Sequence, residues 1–152
     1  MKILLVEDDI MLNEMITEYI TSTGHAIKNA KTGLEALEIL EKEKFDLLVL
    51  DINLPDIDGF TILEKMHEQK RMIPTIYISA LIDIEEISRA FDLGCFDYLK
   101  KPFHLKELTL RINKILKTRI VPQRHKRLSK HYSFDSENMT LLFNNEPHIL
   151  PR

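Results

Sequence analysis

The chain has 152 residues, 44% of them hydrophobic and 30% charged, with a formal net charge of −3. No apolar run approaches the roughly 20 residues of a membrane span, and the N-terminal MKILLVEDD reaches acid too early for a signal-peptide core. The lone Cys95 cannot form an internal disulfide, so a reducing, cytoplasmic compartment is expected.

Charge is unevenly spread. Residues 1 to 107 hold 12 Lys/Arg and 21 Asp/Glu, whereas residues 108 to 134 hold eight Lys/Arg and no acid. An acidic body joined to a basic segment implies two roles or two neighbours. The basic run reads either as a solvated helix face with a linker or as electrostatic affinity for DNA.

In chain order, KILLV (2–6) predicts a first strand. Leu12, Met15, Ile16, Tyr19 and Ile20 recur at helical spacing, with Asp9 as N-cap and Gly24 as the stop. HAIKN (25–29) is a weak strand, and Gly33 precedes a helix with Leu34, Leu37 and Leu40 on one face. FDLLVLD (45–51) is the strongest strand signal. Asp56 and Asp58 read as turn formers before a helix marked by Phe60, Leu63 and Met66. Pro74 opens TIYIS (75–79), and Ile84, Ile87, Ala90 and Phe91 line a fourth helix stopped by Gly94. DYLKK (97–101) is a fifth strand, broken by Pro102. His104 starts a last helix striped by Leu105, Leu108, Ile112, Ile115 and Leu116.

Five βα units with short connections predict an α/β fold, a doubly wound (βα)5 domain with a five-stranded parallel sheet, over residues 1–118. A basic linker is expected at 119–130. Short strands are expected in HYSFD, TLLFNN and EPHIL, too few to bury a core alone.

In such a fold, ligands sit outside the carboxyl ends of the strands. The residues there are Glu7, Asp8, Asp51, Ser79 and Lys101. Three adjacent carboxylates repel one another and raise at least one pKa. A hard divalent cation such as Mg²⁺ removes that conflict. Lys101 and the Ser79 hydroxyl then suit a phosphoryl group. No Ser, Cys or His stands there as a nucleophile with a base, so Asp51 itself is expected to attack phosphorus and form an aspartyl phosphate. The six histidines show no metal-ligand spacing.

The motifs VEDD (6–9), LDINLPDIDG (50–59), ISA (78–80) and YLKKPF (98–103) stand in an order and spacing that resembles the receiver domain of bacterial two-component response regulators. The resemblance covers residues 1 to about 118 and implies a flavodoxin-like fold. Residues 131–152 resemble the first β-strands of an OmpR/PhoB-type winged-helix DNA-binding domain, here truncated. The reading leaves a fragment or an unusually short regulator.

By resemblance, Asp51 is the phosphoacceptor. Asp8, Glu7 and Asp51 with the Asn53 backbone carbonyl hold Mg²⁺. Ser79, the Ala80 amide and Lys101 bind the phosphoryl group, and Ser79 and Tyr98 are the switch pair. A cis bond is implied at Lys101-Pro102. The implied partners are a sensor histidine kinase, DNA through the effector domain, and a second copy through the fourth helix, fifth strand and fifth helix. Glu86, Asp92, Asp97, Glu107 and Arg111 match charged positions of that face. Ile87 and Phe96 depart from it, standing where a basic residue and an acid are usual. Leu81 cannot hydrogen-bond an attacking water, so slow self-dephosphorylation is expected.

Three other readings compete with this one. A stand-alone receiver would act by protein contact only. A phosphohydrolase of the haloacid-dehalogenase kind needs a second acid where Asn53 stands. A flavin or dinucleotide domain needs a phosphate-binding loop after the first strand, where VEDD would repel phosphate.

Overall fold

The computed structural model describes residues 1–80, 83–93 and 95–120 and the strand segments 125–127, 132–135, 140–143 and 146–147, with side chains described at 1–80, 83–93 and 97–117. The chain divides into two units, Met1–Ile112 and Asn113–Arg152.

The first unit alternates β1 (Lys2–Val6), α1 (Ile10–Ser22), β2 (Ala26–Ala30), α2 (Gly33–Lys42), β3 (Leu47–Asp51), α3 (Gly59–Glu68), β4 (Thr75–Ser79), α4 (Ile84–Asp92) and β5 (Cys95–Lys100), and then enters α5 (Leu105–Ile120). The five strands form one parallel sheet in the order β2-β1-β3-β4-β5. This is the doubly wound architecture expected from the sequence.

Strand composition follows sheet position. All five residues of β3 and of β4 are buried, as central strands covered on both faces should be, with Asp51, Thr75 and Ser79 the polar residues among them. Each buried Leu of Leu47, Leu48 and Leu50 contributes about 1.5–3 kcal/mol. The edge strand β2 alternates exposed and half-buried positions up to the buried Ala30, so AIKNA tolerates a lysine and an asparagine.

Helix starts are set by side-chain caps. Asp9 Oδ1 accepts from Leu12 N (3.2 Å), Thr32 Oγ1 from Glu35 N (3.1 Å), Asp58 Oδ1 from Thr61 N (2.8 Å) and Asp83 Oδ1 from Glu85 N (3.0 Å). Each satisfies an amide that the helix leaves unpaired. Asp9 is therefore the cap that the sequence suggests.

Several expectations are corrected. Gly33 is the first residue of α2, not its predecessor, because Thr32 is the cap. Leu34 is 59% exposed; the buried face of α2 is Gly33, Ala36 and Leu40. In α4, Ala90 alone is fully buried, while Ile84 and Phe91 are 82% and 49% exposed. Strand β5 begins two residues earlier than expected and ends at Lys100. Gly94, the expected stop of α4, lies outside the described residues.

The second unit carries a small antiparallel sheet, β6 (His125–Arg127), β7 (Tyr132–Asp135), β8 (Thr140–Phe143) and β9 (Glu146–Pro147), paired in that order. The last three were expected. Strand β6 was not: it pairs with β7 inside the stretch expected as a linker.

Candidate functional site

Register brings the site together. Val6 pairs with Leu50, so Glu7 and Asp51 follow side by side. Asp51 pairs with Ile78 and Ser79 with Lys100, which sets Ser79 and Lys101 next along the same edge. Lys101 N donates to Ser79 O at 2.7 Å. The Lys101-Pro102 peptide is cis.

Glu7, Asp51 and Ser79 are buried, at 0%, 3% and 1% exposure. Lys101 Nζ donates to Glu7 Oε1 (3.0 Å), Glu7 Oε2 (2.9 Å) and Asp51 Oδ2 (2.9 Å). The other Asp51 oxygen, Oδ1, accepts from Asn53 N at 3.0 Å. Asp8 is exposed, and one oxygen from each of Glu7, Asp8 and Asp51 lies within 4.8 Å of the others.

Electrostatics reflect this crowding. Glu7 is pushed up from 4.5 to about 7, first by burial and then by its hydrogen bond and repulsion with Asp51; Lys101 opposes the shift without cancelling it. Burial lowers the Lys101 pKa, but its hydrogen bonds to Asp51 and Glu7 outweigh that and leave it raised. An all-oxygen set of three carboxylates fits a small hard cation such as Mg²⁺.

Of the remaining predicted residues, Asn53 is exposed on the loop after β3, and Ala80 is exposed after β4. Tyr98 is half-buried against the core, opposite Tyr77 in the β4–β5 register. Glu86, Ile87, Asp97, Glu107 and Arg111 are half-buried and Asp92 is exposed. Arg111 bonds within the chain to Asp97 (2.6 Å) and Glu107 (3.2 Å). The Phe96 side chain and Leu81 lie outside the described residues.

Two supporting residues escaped the sequence analysis. Buried Asn13 donates from Nδ2 to Glu7 O at 3.0 Å and ties α1 to the end of β1. Its only signal is a polar residue inside the apolar stripe of α1. Asp56, read as a turn former, also reaches back to α2. Beside Lys101 opens a largely apolar cleft of about 380 Å³, lined by Met11, Leu12, Met15, Ala80, Pro102 and Phe103.

A family model described as the response regulator receiver domain matches residues 3–113. The transcriptional regulatory protein CrdR of Helicobacter pylori is 40% identical over 114 residues, 74% of this chain and 54% of that protein. The response regulator SaeR of Staphylococcus aureus is 35% identical over 133 residues, 88% of this chain and 57% of that protein. The chain thus spans about half the length of the curated relatives it matches. The crystal structure of DrrB, a Thermotoga maritima OmpR/PhoB homolog, matches with a TM-score of 0.70 at 27% identity, over 99% of this chain and 66% of that one. Among the described residues no helix is long and apolar enough to cross a membrane.

Proposed function

The chain belongs to the response regulator receiver domain family, and from that premise we propose that it is a phospho-accepting switch of a two-component system whose acceptor is Asp51. The observation that carries this reading is a buried Asp51 carboxylate at a strand end with the Lys101 ammonium 2.9 Å away. One Asp51 oxygen bonds to phosphorus as the phosphorus–nitrogen bond of a histidine kinase's phosphohistidine breaks and the imidazole leaves. The apolar cleft beside Lys101 offers a surface on which the donor can seat.

Glu7, Asp8, Asp51 and the Asn53 carbonyl would hold Mg²⁺, which when bound neutralises charge on the phosphoryl oxygens. Lys101 then moves its charge from the carboxylates to the phosphoryl group, and Ser79 and the Ala80 amide donate hydrogen bonds to it. Ser79 turning inward frees space for Tyr98, and the face of α4, β5 and α5 shifts. The phosphoryl group biases an existing equilibrium by its differential affinity for the two states. The chain acts as a switch in the cytoplasm, not as an enzyme turning over a substrate.

In this reading residues 1–118 are the receiver, 119–130 a linker, and 131–152 the start of a DNA-binding effector domain. Transcriptional relatives such as CrdR support that output. Self-association would use Glu86, Asp92, Asp97, Glu107 and Arg111.

Intact-mass spectrometry after incubation with Mg²⁺ and acetyl phosphate tests the chemistry. The expected result is one base-labile phosphate adduct, absent in Asp51→Asn and absent without Mg²⁺. A well-folded wild type with no adduct from acetyl phosphate or from a kinase overturns it.

A further inference from the structure

The loop between β3 and α3 is pinned at two places. At its base, Ile52 O accepts from both Leu54 N (3.2 Å) and Gly59 N (2.9 Å). At its tip, Asp56 spans to another helix: Oδ1 accepts from Gly33 N and Oδ2 from Leu34 N, both at 2.8 Å. A carboxylate on the first two amides of α2 is well matched to the helix N-terminus. The loop also leans directly on that helix, because a Cβ at Gly33 would lie 2.2 Å from Ile57 Cγ1. Asn53 sits between these two anchors, its own N–H held by Asp51 Oδ1 at 3.0 Å.

We propose that Asp56 is a positioning residue for the divalent cation: by clamping the loop to α2 it fixes the Asn53 backbone carbonyl relative to Glu7, Asp8 and Asp51. This rests on the cation site proposed above. Asp56 bonds to Gly33 N and Leu34 N rather than to the carboxylates or to Lys101, so its effect runs through the backbone. Groups that hydrogen-bond a metal ligand directly commonly change its affinity by about 10–100-fold, and Asp56, acting through the loop backbone, is expected at the lower end of that range.

The test is calorimetric titration of Mg²⁺ into the full chain, with a thermal melt of each sample. The variants are Asp51→Asn, Asp56→Ala and Thr32→Ala. Thr32 caps the same helix through Glu35 N at 3.1 Å, and its loss weakens α2 without releasing the loop. The expected result is a Mg²⁺ Kd about tenfold weaker in Asp56→Ala and unchanged in Thr32→Ala. Equal weakening in both variants would mean general loosening of α2 and overturns the proposal, as does an unchanged Kd in Asp56→Ala. If Asp56→Ala fails to fold, Gly33→Ala presses Ile57 from the helix side and is expected to weaken Mg²⁺ likewise; an unchanged Kd there overturns the proposal. Wild type that binds no Mg²⁺, or Asp51→Asn that binds as wild type does, removes the cation site itself and this proposal with it.

Discussion

Lys101 Nζ lies 2.9 Å from Asp51 Oδ2 and is at the same time bonded to both oxygens of Glu7. One ammonium therefore bridges two buried carboxyl groups, Glu7 just after β1 and Asp51 at the end of β3. Replacing it with alanine leaves the Asp51 carboxylate, and whatever fraction of Glu7 is ionised, without a counter-charge away from water. Lys101→Ala should lose about 2–4 kcal/mol of stability in chelator, and saturating Mg²⁺ should recover most of it by taking the lysine's place. Phosphate adduct formation should fall roughly a hundredfold, the usual cost of one lost charge-stabilising donor. Melts with and without Mg²⁺, alongside timed mass spectra, measure both effects. A variant as stable as wild type in chelator would show that the carboxylates do not need the ammonium.

Glu7 carries a pH signature of its own. Its pKa rises from 4.5 to about 7 on folding. Between those values the folded chain keeps a proton that the unfolded chain has released. Stability in chelator should therefore fall as pH rises from about 4.5 to 7 and level off above, by no more than about 3 kcal/mol. Mg²⁺ favours the ionised form, so the slope should flatten in its presence. Glu7→Gln should flatten it with or without the ion. Urea midpoints at several pH values decide the matter, and a rising curve over this window would contradict the assignment.

The succession of strands and helices along the chain, the buried runs and the carboxyl-end residues were legible in the sequence because each is a local signal, whereas the order of the strands within the sheet is not local. Leu47 to Leu50 is apolar without alternation, and Asp51 closes it. Leu34 misled for a geometric reason. Two steps of three residues rotate it about 120° away from Leu40 on a helix of 3.6 residues per turn, so the two cannot share a narrow buried face. In α4 the apolar stripe is real, but periodicity does not say whether a stripe meets a sheet or solvent, and the small Ala90 is what faces inward. Asn13 and Asp56 were not legible as site supports, since their bonds to Glu7 O and Gly33 N depend on how strands and helices are brought together. The HKR of β6 has no alternation to mark it.

Gly59 is required by close approach. A Cβ there would lie 2.8 Å from Asp51 O and 3.0 Å from Ile52 Cα. Both are backbone atoms at the carboxyl end of β3 and cannot swing aside. Gly59→Ala should cost about 1–3 kcal/mol, although alanine is the better helix former by about 1 kcal/mol. Urea denaturation in Mg²⁺-free buffer measures the balance. A neutral or stabilised variant would mean that the loop yields more readily than its contacts suggest.

Self-association offers the last prediction. Arg111 already bonds to Asp97 and Glu107 of its own chain. On α4 and α5, Ile84, Phe91 and Leu110 are exposed apolar side chains. An interface through α4 and α5 would then be held by apolar contact more than by charge between copies, and salt screens only the latter. If the phosphorylated chain pairs through this face as proposed, the Kd of that dimer should change less than about threefold between low salt and roughly 0.5 M salt. Phe91→Glu should weaken it by about tenfold or more, because an ionised carboxylate would be desolvated in the contact. Sedimentation at both salt concentrations reads this directly. Strong salt sensitivity with no effect of Phe91→Glu would mean that Arg111 exchanges its partners across the interface after all, and that the apolar stripe on α4 faces solvent in the dimer.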